Sequence, residues 1–312
     1  MAKAPFVVTP ELCAVAVEYK NGKMIADDVL PRVPVDAESF KYQKTPMGEF
    51  FTVPETKVGR KGQPNQVEFS STEQTDSTND HGLDDLVPNK DVKNAAAQSR
   101  MVDPRKRAAM GLTELIVLAR EVRAANLVFN TASYGAGNQA TLSGTNQVSD
   151  YVSSNPQTMI MDAMDTMIMR PNIGIMGRSV WTKFSQHPRI CKAVFGNNTD
   201  AGVVSRAQVA ALLELDDIYV GEGWVNLARR GQPVNMARVW GKGMAFLHRN
   251  MTADTQYGVT FGMTAQFGDR IGGEIEDADI GVYGGVRVRV AESVKELVTA
   301  NDLGYFFQNA IA

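Results

Sequence analysis

Hydrophobic positions change their spacing several times along this chain, and each change marks an element. From Asp103 to about Phe129, Leu112, Leu115, Ile116, Ala119 and Val122 recur at three- and four-residue intervals, which predicts one long amphipathic helix. Asp103-Pro104 opens it, the carboxylate as N-cap and the proline at the first helical position. A second helix is expected over Gln157–Met169, with Ile160, Met164, Met167 and Ile168 on one face and Asp162, Asp165 and Thr166 opposite. A third starts at Ser179 and runs through Trp181 and Phe184 to a stop at His187-Pro188, and a fourth spans Ser205–Leu213. Short apolar runs predict strands at Asn172–Met176, Ile218–Val220, Ala237–Trp240, Ala245–Leu247, Val259–Gln266, Gly281–Val290 and Gly304–Ile311. Helices come early and strands late, without regular βαβ alternation, so the fold class is α+β.

The first hundred residues behave differently. Pro5, Pro10, Pro31 and Pro34 interrupt residues 1–40, leaving one strand candidate, Ala14–Tyr19, and predicting an arm that runs along another surface. Phe50–Val53 and Val67–Phe69 predict a hairpin within 41–71, closed by a turn-rich stretch, Val58–Asn65, with Arg60 and Lys61 at its tip. Between 52 and 104 only ten of 53 residues are large and apolar. That is below the roughly 20% at which a segment offsets its ordering entropy by self-burial. Such a segment is expected to be ordered by another surface.

Composition narrows the classes. At 44% hydrophobic the chain of 312 residues is not intrinsically disordered. Cys13 and Cys191 stand far apart and read as reduced, packed residues. No apolar run reaches the roughly 18 residues of a membrane helix. Lys and Arg number 32 against 35 Asp and Glu, a net charge of −3, where a sequence-reading nucleic-acid binder normally carries a basic excess. The charge is patterned, however. Residues 67–91 hold seven acids and one base, whereas 92–130 hold seven bases and three acids. Arg105, Lys106 and Arg107 fall in the first turn of the long helix, where cations oppose its dipole. An acidic partner, in this chain or another copy, accounts for them; two solvated faces are the alternative.

Candidate chemistry is sparse. Gly135-Ala136-Gly137-Asn138-Gln139-Ala140 spells GxGxxA but follows a helix instead of a strand, and no helical period comes after it, so it reads as a loop. Asp162 and Asp165 sit on the polar face of their helix and read as solvated. Glu274–Gly281 begins like a calcium loop, yet Val288 stands where the bidentate Glu is required. His81, His187 and His248 are widely spaced, and His187 reads as a capping cation at a helix C-terminus. Asn197-Asn198-Thr199 and Asn250-Met251-Thr252 are sequons by pattern only. No catalytic set and no cofactor or metal site is assigned.

Several stretches carry a family resemblance in their order. Val180-Trp181-Thr182-Lys183-Phe184 precedes His187-Pro188-Arg189-Ile190. Val204 through Val220 leads into Gly221-Glu222-Gly223 and Val225-Asn226. Trp240-Gly241-Lys242, Val286–Val290, Tyr305 and Phe306 follow. Together with the arm, the polar hairpin and the long helix, this resembles the major capsid proteins of tailed bacteriophages, with the Hong Kong 97-like fold. The resemblance implies an N-terminal arm (1–40), an extended E-loop (41–93), a P-domain (94–171 and 256–292, with a spine helix at about 103–129) and an A-domain (172–255 and 293–312).

It also implies a non-enzymatic subunit, assembled in the host bacterial cytoplasm into pentamers and hexamers of an icosahedral head around double-stranded DNA. Its partners would be copies of itself, a portal, possible decoration proteins and a separate scaffolding protein. Met1 leading straight into the arm, with no maturation cleavage, points to that separate scaffold. In the family the E-loop lies over a neighbouring subunit. By analogy Phe50, Phe51 and Phe69 would pack the ribbon, and Lys57, Arg60 and Lys61 would meet acids on the neighbour. Arg105, Lys106 and Arg107 would face an acidic loop or the genome. An encapsulin-like nanocompartment shell, and a cytosolic α+β enzyme built on Asp162 and Asp165 or the Gly135–Gly137 loop, are the alternatives.

Overall fold

The structure, a computed structural model, describes residues 7–8, 24–44, 51–67, 72–97, 103–196, 201–229 and 231–312. The chain begins with β1 (Val7–Val8), α1 (Ala26–Val29), β2 (Arg32–Val35), β3 (Ser39–Lys44), β4 (Thr72–Ser77) and β5 (Asn79–Pro88). Two helices follow, α2 (Asn89–Ala97) and α3 (Pro104–Val128), then β6 (Gln139–Thr141) and α4 (Pro156–Asp165). Next come β7 (Ile173–Gly177), α5 (Arg178–Ser185), α6 (Pro188–Phe195), α7 (Arg206–Leu213) and β8 (Asp217–Gly221). The remainder is β9 (Trp224–Asn226), β10 (Met236–Arg238), β11 (Met244–Leu247), β12 (Gly262–Asp277), β13 (Gly285–Val298) and β14 (Gly304–Gln308).

Two five-stranded sheets are bridged by α3. The first runs β1-β12-β13-β5, with β2 parallel to β12. The second runs β6-β14-β11-β7-β8. Its central strands are buried on both faces, and their period of two divides the core. Met176, Met244 and Phe246 face a layer made by α4 to α7, with Ile160, Trp181, Phe184, Ile190 and Leu213. Ile173, Ile175, Ala245 and Leu247 face Ile25, Leu30, Ala124, Ala125, Val128 and Trp240. At 1.5 Å per residue α3 is about 37 Å long. Its first half packs Ala108, Ala109, Leu112 and Ile116 on Val87, Val288 and Val290 of the first sheet. Its second half lies under the second sheet.

The expected α+β class and most helices are present, and the departures have physical reasons. The predicted stripe on α3 is shifted. Leu115 is half exposed, and the buried row runs through Ala109, Leu112, Thr113, Ile116, Arg120, Glu121, Ala124, Ala125 and Val128. The predicted strands at 259–266 and 281–290 become one hairpin pairing Gly262↔Val298 through Asp277↔Gly285, interrupted by a bulge between Phe267 and Ile271. Gln139–Thr141, read as loop, adds a parallel edge strand to β14. The candidate strand Ala14–Tyr19 lies outside the described residues.

The hairpin expected from Phe50–Val53 with Val67–Phe69 forms elsewhere. Phe50 and Phe69 lie outside the described residues, and 52–67 contains no strand. Instead β3 pairs with β4, from Ser39↔Ser77 to Lys44↔Thr72. Pairing occurs where the ribbon has a body to rest on: Phe40 is buried among Val33, Met263, Ala265 and Leu297, with Tyr42 alongside. Of the apolar-poor stretch 52–104, residues 79–97 are ordered by this chain itself, because β5 pairs with β13 from Asn79↔Val294 to Pro88↔Gly285.

Candidate functional site

The ribbon leaves the body at a charged clamp. Glu121 and Arg120 sit side by side in the buried row of α3. The Glu121 carboxylate accepts the Ile25 N–H at 3.0 Å, the Ala26 N–H at 2.7 Å and the Trp240 indole N–H at 2.5 Å. It therefore caps α1 from 96 residues away in sequence. Burial pushes its pKa up, and the N–H donors and Arg120 pull it back only in part. Arg120 donates to Asp27, to the Leu30 carbonyl at 3.2 Å and to Thr264 Oγ1 at 3.0 Å, while its Nε lies 3.8 Å from Glu296. Arg123 completes Glu296 at 3.0 Å.

A second arm of the clamp starts at Arg32, which bridges Asp27 at 2.7 Å and Glu292 at 3.1 Å. Glu292 also takes Arg270 at 2.9 Å; the bulge in β12 brings that arginine over it. Burial would raise the carboxyls of Asp27 and Glu292, but their arginine neighbours outweigh it and hold both below their usual values. Acids and bases are matched, so the cluster is buried without a large net charge. Its effect is to fix residues 24–35 between α3 and the long hairpin immediately before the ribbon begins.

Beyond its root the ribbon is unsupported. Lys41 pairs with Glu73 at 2.8 Å and Lys295 with Asp76 at 3.6 Å near the base. From Phe51 to Val67 every residue is exposed, Val53 at 88%. Lys57, Arg60 and Lys61 share this tip, as expected, together with Phe51.

The basic residues of α3 separate instead of forming one patch. Arg105 folds back onto its own N-cap Asp103 at 2.8 Å and onto Glu274 at 3.4 Å, so its acidic partner is in this chain. Lys106 and Arg107 are exposed. The acidic stretch does not pair with the helix. Glu73 and Asp76 hold β3 and β13, and Asp84 grips Arg289 directly opposite it through two 2.7 Å bonds. Sequence reasoning passed over Arg120 and Glu121. The available signal was the row Leu112, Ile116, which four residues on reaches Arg120.

The other candidate chemistry resolves into structure. His187 is not a C-terminal cation but the buried N-cap of α6: its Nδ1 accepts the Arg189 N–H at 3.2 Å. That bond leaves the proton on Nε2, which faces Ser154 Oγ at 3.0 Å, while the serine hydroxyl donates to the Asp150 carbonyl at 2.6 Å. The ring therefore has no lone pair to offer Ser154, and the pair is no nucleophile and base. Burial, with Arg189 nearby, lowers the His187 pKa despite Asp150. The neutral form is thus favoured in the fold, and its stabilisation is complete above the unfolded value of about 6.5 and lost as pH falls towards the native one. Denaturation midpoints at pH 7.5 and 5.5 should fall further for the natural subunit than for His187→Asn, whose amide oxygen keeps the cap without titrating. Equal falls would remove His187 as the cause.

Gly135 offers no phosphate cradle, since a Cβ there would lie 2.7 Å from Asp302 Oδ1 and that carboxylate repels an anion. Asp162 and Asp165 are exposed on α4, with Asp165 3.9 Å from Arg170. Glu274 and Asp277 are engaged by Arg105 and Arg287.

No family model matches the chain. The major capsid protein of Pseudomonas phage JBD67, however, is 54% identical over 312 residues, 100% of each chain. The chain belongs to the phage major capsid proteins. Among solved structures, a phage-related protein of Bordetella bronchiseptica RB50 is similar with a TM-score of 0.74 at 20% identity, over 98% of each chain. The capsid of the cyanophage P-SCSP1u is similar with a TM-score of 0.58 at 12% identity, over 99% of this chain and 92% of that one. These likenesses carry the fold. For a phage major capsid protein the working sites are the faces it offers to other copies in the virion shell. The exposed ribbon and the clamp at its root are the features of this capsid protein that such contacts would use.

Proposed function

We propose that this capsid protein assembles as pentamers and hexamers into an icosahedral head around double-stranded DNA, and that it has no catalytic role of its own. One observation carries the reading beyond family membership: residues 51–67 project from the body with every residue exposed. A two-stranded ribbon is marginal alone in water. Draped on a neighbouring copy it gains a surface, and many such interlocked contacts give a closed shell its strength. In this reading Phe50, Phe51 and Phe69 pack the ribbon between subunits, and Lys57, Arg60 and Lys61 meet acids on the neighbour. DNA needs only sparse phosphate neutralisation, compatible with a net charge of −3. A scaffolding protein, a portal and possible decoration proteins are the further partners, met in the host cytoplasm.

Overexpressed protein viewed by negative-stain microscopy, with light scattering in parallel, is expected to show rings, closed shells or sheets of them. A monodisperse monomer at every concentration and salt tested would sink the proposal. Particles that carry protein cargo and no nuclease-protected DNA after infection would favour a nanocompartment instead.

A further inference from the structure

We propose that the groove between β5 and α3 receives the ribbon tip, residues 51–67, of a second copy, with Asp85, Asp91 and Glu114 facing Lys57, Arg60 and Lys61. The inference rests on the capsid reading above and adds the acceptor surface and its chemistry.

Three observations converge on the groove. First, β5 is an outer strand: β13 occupies one edge, and among the described residues nothing pairs with the other. Its outward N–H and C=O groups are open to an extended segment. Second, the groove is apolar along its length. Leu86 and Leu115 are 54% and 53% exposed on its two walls, Leu112 and Leu118 lie deeper, and Gly111 leaves its surroundings open. Third, its lining holds four acids, Asp84, Asp85, Asp91 and Glu114, against one base, Arg107. Asp84 is spent on Arg289, whereas Asp85, Asp91 and Glu114 make no ion pair within the described residues.

The tip is the complement. Residues 51–67 hold three bases, Lys57, Arg60 and Lys61, against one acid, Glu55, with Val53 and Val58 exposed between them. The segment has no strand partner and is exposed throughout, so it does not occupy the groove of its own subunit. A basic, apolar-studded extended segment thus meets an acidic, apolar sheet edge only on another copy. Charge complementarity of this kind sets register and suppresses wrong partners.

Charge reversal tests it, because all the positions changed are exposed and spare the fold. Asp85→Lys with Glu114→Lys, or Arg60→Glu with Lys61→Glu, should each raise the protein concentration needed for shell formation about tenfold or more. A chain carrying both sets should recover most of the loss. As a second measurement, Val58→Cys copies mixed with Leu86→Cys copies, in a background lacking Cys13 and Cys191, should form a disulfide between copies on assembly. Normal shells from either reversal, or no recovery in the combined chain, overturns the groove while the capsid reading stands. So does a Leu86→Cys that links to any segment other than the tip. Absence of shells from the unaltered protein overturns the capsid reading itself.

Discussion

Glu121→Ala is expected to destabilise the subunit by about 4 kcal/mol or more, a large share of the total for a domain of this kind. The carboxylate is fully buried and collects two backbone N–H groups of α1 and the Trp240 indole N–H. Removing it orphans all three donors at about 1–3 kcal/mol each and leaves a cavity besides. Glu121→Gln should fall between: the amide oxygen still accepts, but its NH2 is set against another donor. Urea denaturation of the dissociated subunit measures both. A loss under about 1 kcal/mol for Glu121→Ala would mean that water replaces the carboxylate and that the clamp does not hold α1.

The clamp also gives acid stability a definite sign. Because burial raises Glu121, the folded subunit binds that proton at higher pH than the unfolded chain, and acidification through this range does not remove stability through this group. Asp27 and Glu292 act oppositely. Their native values lie below 3.8 and 4.5, so their contribution is complete above those values and is lost as pH falls through the native ones.

Local signals and distant ones divide the sequence's legibility. The Asp103-Pro104 start of α3 and the Ser205–Gln208 capping box of α7 are written within a few residues, and both elements are present. The strands β7 and β11 are visible because burial on both faces makes them continuously apolar. The strands β4 and β5 were not visible. Their residues are polar, and what makes Asp84 part of a strand is Arg289, 205 positions away. The same distance hid the clamp: nothing near Glu121 announces Ile25 or Trp240 as donors. Poverty in apolar groups did flag the ribbon, since Phe51 to Val67 are exposed throughout. Alternation over three or four residues then misplaced its strands, because burial of Phe40 decides where pairing starts. The His187-Pro188 boundary was legible as a helix edge, but composition does not reveal which side of it the ring caps.

Replacing residues 54–65 with a short glycine turn should leave the subunit's stability within about 0.5 kcal/mol of the natural chain and abolish assembly. Nothing between Phe51 and Val67 is buried, so its removal creates no cavity and orphans no core group. The root stays anchored through Phe40, the β3–β4 ladder and the clamp. Shortening the loop even favours folding slightly, by roughly 0.6 kcal/mol for each halving of its length. Assembly should respond far more strongly, because every copy in a shell would lose one donated and one received contact. Denaturation midpoints should therefore coincide for the two chains, while scattering and micrographs show particles for one and single subunits for the other. Glu121→Ala makes the contrasting variant, since it weakens the fold and, by freeing the ribbon's root, the assembly with it. A tipless chain that builds normal shells would show that the ribbon is an ornament of the surface, and the interlocking contacts would have to lie elsewhere on the subunit.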